Sequence, residues 1–246
     1  MSEMIAPPGA SAPTGSEMST AETLTGIFFE PSRTFESLRA RPRFLAAGLI
    51  LLALACVTTA VVFMRVDMGQ YIRDKIERSP NAAQASEAQK DMQVRVGKTI
   101  AMVAIPLAVP IIIAAGAALY MLGVMAFGGA ISYMKAVSVW TYSSLPPSVL
   151  GSLIAILVLF LKSPDSIDPE RVAVTNPGAL LGEESSKVLI AALSQLDVLR
   201  FYGLFLAALG LRKVAKLSSG QAWGVVISLF AIAALLRIGQ AALFGR

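Results

Sequence analysis

From Phe44 to Phe244 the chain alternates long apolar runs with polar connectors. Five runs stand out, at about residues 44–64, 99–127, 145–161, 188–211 and 221–244. A helix needs about 20 mostly apolar residues to cross the hydrocarbon core of a bilayer, and as few as about 17 suffice. A helix resting on a soluble core would carry a recurring polar face instead. The pattern therefore predicts an all-α fold: a polytopic membrane helical bundle with five transmembrane helices.

The connectors carry their own periodicity. Residues 65–98 are charged but rich in helix formers, and Ser79-Pro80 reads as a cap with proline at the first helical position. The first span is expected to run on to about Arg78, turn, and return from Pro80 into the second, so that a helical hairpin projects between the first two spans. Val66, Tyr71, Ile72 and Ile76 would pack against Met92, Val94 or Val96. In the second span Pro106 and Pro110, four apart, remove two donors from one face and are expected to bend it. Gly128-Gly129 should end it. Residues 131–144, with Trp140 and Tyr142, suit a membrane interface, and Pro146-Pro147 are expected to open the third span. Pro164, Pro169 and Pro177 should keep the connector 163–187 irregular; it also carries Asp165, Asp168, Glu170, Glu183 and Glu184.

Ahead of the spans, residues 1–22 are small, polar and proline-rich, the composition of a disordered tail; residues 23–246 form the membrane domain. Residues 23–38 are amphipathic and interrupted by Pro31, after which Ser32 is placed to cap a helix. Phe29, Pro31 and Phe35 form an aromatic motif beside Arg33, Arg39, Arg41 and Arg43, expected to lie in the headgroup layer.

Composition narrows the chemistry. Of 246 residues 55% are apolar and 15% charged, with a mean hydropathy of +0.67. Soluble domains carry about a quarter charged residues. The net charge of +5 forms no basic stripe with exposed aromatics, so nucleic acid is not an expected partner; the lipid bilayer is. With no histidine, the commonest general base and metal ligand are missing. Neither a metal nor a cofactor is expected. The lone Cys56 lies inside the first apolar run, too far along the chain for a lipoprotein signal, and reads as a small apolar residue. Ser132 and Lys135 have S-x-x-K spacing, but no companion motif follows. There is no P-loop, dinucleotide fingerprint or nucleophile elbow.

Three charges fall within the spans: Asp197 and Arg200 in the fourth and Arg237 in the fifth. Counted inward from the basic turn Arg212/Lys213/Lys216, Asp197 lies roughly 22 Å and Arg237 roughly 24 Å deep. An ionised group in hydrocarbon costs several kcal/mol, so this intramembrane polar cluster is expected to pair internally, Asp197 with one or both arginines. Small residues four apart, Ala114/Ala118 and Gly224/Ser228, are candidates for close helix contact. The arginines before the first span and the basic turn fall on one side by parity, which places the N-terminus in the cytoplasm and Arg246 outside.

Short motifs then point to a family. Phe28-Phe29-Glu30-Pro31-Ser32-Arg33-Thr34-Phe35 precedes the first span, and Tyr142-Ser143-Ser144-Leu145-Pro146 opens the third. Leu196-Asp197-Val198-Leu199 and Leu209-Gly210-Leu211 lie in the fourth, and Lys216-Leu217-Ser218-Ser219-Gly220-Gln221-Ala222 forms the last connector. In order and spacing these resemble the Yip (Ypt/Rab-interacting protein) family over residues 23–244, in a prokaryotic-type form. The chain departs from the family pattern at Arg200-Phe201-Tyr202, where an aromatic residue followed by tryptophan is usual. The resemblance implies five spans, a cytosolic N-terminus and an external C-terminus. It also implies kinship with eukaryotic proteins of vesicle trafficking, which associate with one another and with prenylated Rab GTPases.

These observations together lead to the expectation of a non-enzymatic membrane scaffold or assembly factor in the cell (inner) membrane, forming homo- or hetero-oligomers through its membrane helices. The alternative is a small transporter or channel subunit whose Asp197/Arg200/Arg237 cluster lines a path beside the proline-bearing second span.

Overall fold

Local capping sets the first elements. In the computed structural model, which describes residues 18–79, 84–164, 167–169, 172, 175–182 and 185–244, α1 (Thr20–Phe29) begins at a reciprocal cap. The Glu22 amide donates to the Ser19 hydroxyl, and the Ser19 amide donates to the Glu22 carboxylate. Residues 20–22, expected in the tail, are thus the first turn of a helix. Pro31 occupies the first turn of α2 (Pro31–Ala40), where its missing N–H costs nothing; Glu30, not Ser32, holds the cap position. Residues 1–17, the helix start expected at Pro80, Asp165, Glu170, Glu183, Glu184 and Arg246 lie outside the described residues.

The bundle follows. The first span, α3 (Leu45–Arg65), stops at Arg65 instead of running on to residue 78. The physical reason is Asp67: its carboxylate accepts from the Gly69 and Gln70 amides and starts a new helix, α4 (Met68–Glu77). Another reciprocal cap, Ser86 with Gln89, starts α5 (Glu87–Ala126), which continues for 40 residues with Pro106 and Pro110 inside it. α4 and α5 form the projecting hairpin. Ile72 packs on Gly97, and Arg73 pairs with Glu87 and Asp91. Gly128, at φ +78°, supplies the left-handed turn after α5.

α6 (Tyr133–Leu161) corrects a second expectation, since it does not open at Pro146-Pro147 but carries both inside 29 continuous residues. Those prolines deprive the Tyr142 and Ser143 carbonyls of helical donors, which is tolerable where protein covers the backbone. Gly203 of the neighbouring helix faces them at ordinary contact distance. A Cβ there would sit 3.4 Å from the Pro147 ring and 3.8 Å from the Ser143 oxygen. The half of α6 expected at the interface is instead its most buried part: Val139, Thr141 and Tyr142 are all in the core.

The fourth span is broken. α7 (Lys187–Leu193) and α8 (Val198–Val214) meet at 47°, and only together are they long and apolar enough to cross. Among the described residues four uninterrupted stretches meet that test: α3, residues 106–126 of α5, α6, and residues 219–243 of α9 (Ser219–Phe244). One end of the bundle gathers α1, α2 and the turns at 127–132 and 215–218. There Gln221 donates to the Phe127 carbonyl at 2.8 Å and Lys213 pairs with Glu36. At the opposite end Arg65 donates to the Leu159 and Lys162 carbonyls, closing the C-terminus of α6 beside the start of the hairpin.

The core lies between α2, α3, α5, α6, α8 and α9 and owes its closeness to small residues. The Trp140 ring, 4.8 Å from that of Tyr120, lies over Gly116; Val225 lies over Gly123, and Phe127 over Gly224. Without a solvent-driven effect between lipid-bathed helices, such close approach supplies the packing energy.

Candidate functional site

The expected cluster at Asp197, Arg200 and Arg237 resolves into a helix cap with one satellite. Asp197 is not inside a continuous span. It sits at the break, where its Oδ1 accepts from the Leu199 and Arg200 amides at 2.9 and 3.1 Å. Its Oδ2 accepts from the Thr175 hydroxyl at 2.6 Å. The carboxylate thereby satisfies two of the unpaired amides of α8 and ties down the connector before α7. At 17 residues, α8 is roughly 26 Å long. The break therefore lies near the end of the bundle opposite Lys213.

Arg200 turns toward Gln195. The Gln195 side-chain oxygen accepts from its guanidinium, while the Gln195 amide donates to the Ala191 carbonyl at 2.9 Å and closes α7. The guanidinium carbon is also 6.0 Å from the centroid of the Phe230 ring on α9. Among the described residues no ion pair joins Asp197 to either arginine. Arg237 is exposed on α9 and stands close enough to Arg200 to repel it. The Asp197 carboxylate is taken up by the helical amides at the break, and it acts on Arg200 through charge without a direct ion pair.

Of the expected interfacial motif, Phe29 and Phe35 part company. Phe29 is 85% exposed at the corner between α1 and α2, whereas Phe35 is fully buried. The Phe35 ring inserts beside Gly210 of α8 and near Val139 of α6. Ile27, Leu38 and the buried Thr23 accompany it; the Thr23 and Tyr142 hydroxyls lie 3.1 Å apart. Lys213 donates to Glu36 at 2.5 Å, and this bond holds the Glu36 carboxyl below its ordinary range. Helices α1 and α2 are thus docked on the bundle, and Pro31 lines a cleft against α8 and α9. The signal for this docking was the wide apolar stripe Ile27, Phe35, Leu38 facing the small residue Gly210.

Cavities indent the helical surface among the described residues. One of about 310 Å³ between α3, α5 and α6 is almost wholly apolar, with Phe44, Leu49 and Pro110 in its wall. Another, of about 410 Å³, is lined on α6 by Ser144, Ser148 and Ser152. The cleft beside Pro31 measures about 300 Å³. None of these three is lined by Asp197, Arg200 or Arg237. Among the described residues no group of three or more acidic or cysteine side chains is placed to hold a metal.

Among known families, the family model of the Yip1 domain matches residues 25–238. No curated protein and no solved structure matches the chain.

Proposed function

Because the chain belongs to the Yip1 domain family, we propose that this multi-pass membrane protein is a non-enzymatic scaffold or assembly factor of the trafficking type. It would work by presenting rigid surfaces on both faces of the bilayer. The observation that carries the reading is how the charges of the bundle are engaged. Asp197 caps α8 and holds Thr175, and Arg200 is bound to Gln195. These groups serve the fold, leaving the docked pair α1/α2 with Phe29 on one face and the α4/α5 hairpin on the other for partners. Lipid is the first partner. Exposed Leu49, Ile111, Leu119 and Leu235 on three helices are apolar surface that water would not tolerate. Self-association or a hetero-oligomer would use the same helices.

We place the protein in the cell membrane with α1/α2 cytoplasmic and the end of α9 external. Arg33, Arg39, Arg41, Arg43, Arg212, Lys213 and Lys216 then fall on the cytoplasmic side. The rival reading, a transporter or channel subunit, needs Asp197 and Arg200 to line a wet path. Two measurements on the full chain separate the readings. Reconstituted vesicles should pass protons and small ions no faster than empty ones. A photo-cross-linker at Phe29 should give discrete protein adducts in cells, and one at Leu235 should give lipid adducts. Flux abolished by Asp197→Asn, with no protein adduct at Phe29, would establish the rival.

A further inference from the structure

The cleft of about 300 Å³ between α2, α8 and α9 has no role in the reading above and does not depend on it. Arg212, Ser32 and Ser219 lie in its wall together with Phe205, Leu209 and Trp223. Arg212 and Phe205 are seven residues apart on α8, so the wall changes from cationic to apolar over roughly 10 Å of depth. That is the thickness over which a bilayer passes from phosphate to acyl chain. Trp223 is 37% exposed and Phe205 49%, so the apolar part opens sideways toward lipid. Trp223 sits five residues after the turn, at the level where indole rings collect at membrane boundaries.

The charge in this wall is available. Lys213 is held by Glu36, whereas no ion pair among the described residues involves Arg212. A guanidinium beside two serines suits phosphate oxygens, since it offers several donors in a fixed fork. A soluble anion would gain nothing from Phe205 and Leu209. A protein carboxylate would have to carry an apolar extension into the bilayer. An anionic phospholipid supplies both halves in one molecule.

We propose that this cleft is a binding site for an anionic phospholipid, its phosphate on Arg212, Ser32 and Ser219 and its upper acyl carbons against Phe205, Leu209 and Trp223. A lipid seated there bridges α2 to α8 and α9, adding to the contacts of Phe35 and Glu36 that dock the N-terminal helices.

The test uses the full chain in phosphatidylcholine vesicles containing a minority of either phosphatidylglycerol or phosphatidylcholine brominated near the top of its acyl chains. Quenching of tryptophan fluorescence reads occupancy beside Trp223, with Trp140 as background common to both lipids. Wild type should prefer brominated phosphatidylglycerol roughly tenfold, the yield of one charge-assisted contact. Arg212→Gln should bring the preference to parity, Trp223→Phe should remove the selective signal, and Lys216→Gln, outside the cleft, should leave both in place. Each variant is first checked for unchanged helicity and a single elution peak. Equal quenching of the wild type by both lipids would overturn the proposal. So would equal losses in Arg212→Gln and Lys216→Gln, which mean diffuse surface charge only. Displacement of the signal by millimolar glycerol phosphate would also overturn it, marking a water-facing phosphate site.

Discussion

Phe29 and Phe35 are chemically identical and six residues apart, yet one faces outward and the other fills the core beside Gly210. Phe35→Ala should cost about 3–5 kcal/mol, whereas Phe29→Ala should stay within about 0.5 kcal/mol. Unfolding in mild detergent titrated with a denaturing one reads both. Asp197 makes a different demand. Asp197→Ala removes a cap and should cost about 1–2 kcal/mol. Because no ion pair links Asp197 to Arg237, the double change Asp197→Ala/Arg237→Ala should equal the sum of the singles within about 0.5 kcal/mol. A strong rescue in the double would restore the pairing that the geometry denies. Glu36 sets an acid limit. Its hydrogen bond to Lys213 lowers its folded pKa, so this contribution is complete above the ordinary glutamate range and is lost as pH falls through the lowered value. Glu36→Gln should flatten that part of the stability-pH curve, recorded by thermal melts between neutral and acidic pH.

Among the elements, the apolar runs were legible because length and composition alone decide whether a helix can cross hydrocarbon. Where helices stop was harder to read. Asp197 looks like a buried charge when the run 188–211 is taken as one helix. It is a cap because its carboxylate accepts from the Leu199 and Arg200 amides, while Thr175, 22 residues earlier, holds its other oxygen. Pro146-Pro147 likewise reads as a helix start from its own neighbourhood, yet it lies inside α6, in a stretch covered by other helices. The hairpin could be foreseen, since its charges and apolar positions are local; the stop at Arg65 could not, because it depends on whether Asp67 caps or merely solvates. Helix contact made by glycine gives the sharpest test at this scale. A Cβ on Gly116 would fall 2.2 Å from the Trp140 ring, which is wedged against Tyr120. Gly116→Ala should therefore destabilise by about 1–3 kcal/mol despite its good helix propensity. Gly239→Ala, where nothing lies within 4 Å, should be neutral or slightly stabilising by the same unfolding measurement.

At the level of the whole molecule, parity and packing agree on two faces. The contacts Glu36–Lys213 and Gln221–Phe127 gather one set of turns, and Arg65–Lys162 gathers the other. Which face is cytoplasmic is open to direct measurement. In a Cys56→Ser background, a cysteine at Gln84 should react with an impermeant maleimide added outside the cell, and one at Lys216 only after permeabilisation. The reverse pattern would invert the orientation. The N-terminal docking was the least legible feature at this scale, because it joins residues as distant as Thr23 and Tyr142 through one buried pair of hydroxyls.

Helix α5 carries a mechanical corollary. Its 40 residues measure roughly 60 Å, about twice the hydrocarbon thickness, so half of it is an outrigger. Tipping such a beam by about 10° at its inner end displaces the free end by about 10 Å, an amplification set by length alone. A tilt of the whole helix would carry a disturbance at the inner end to the hairpin end, with no pore required.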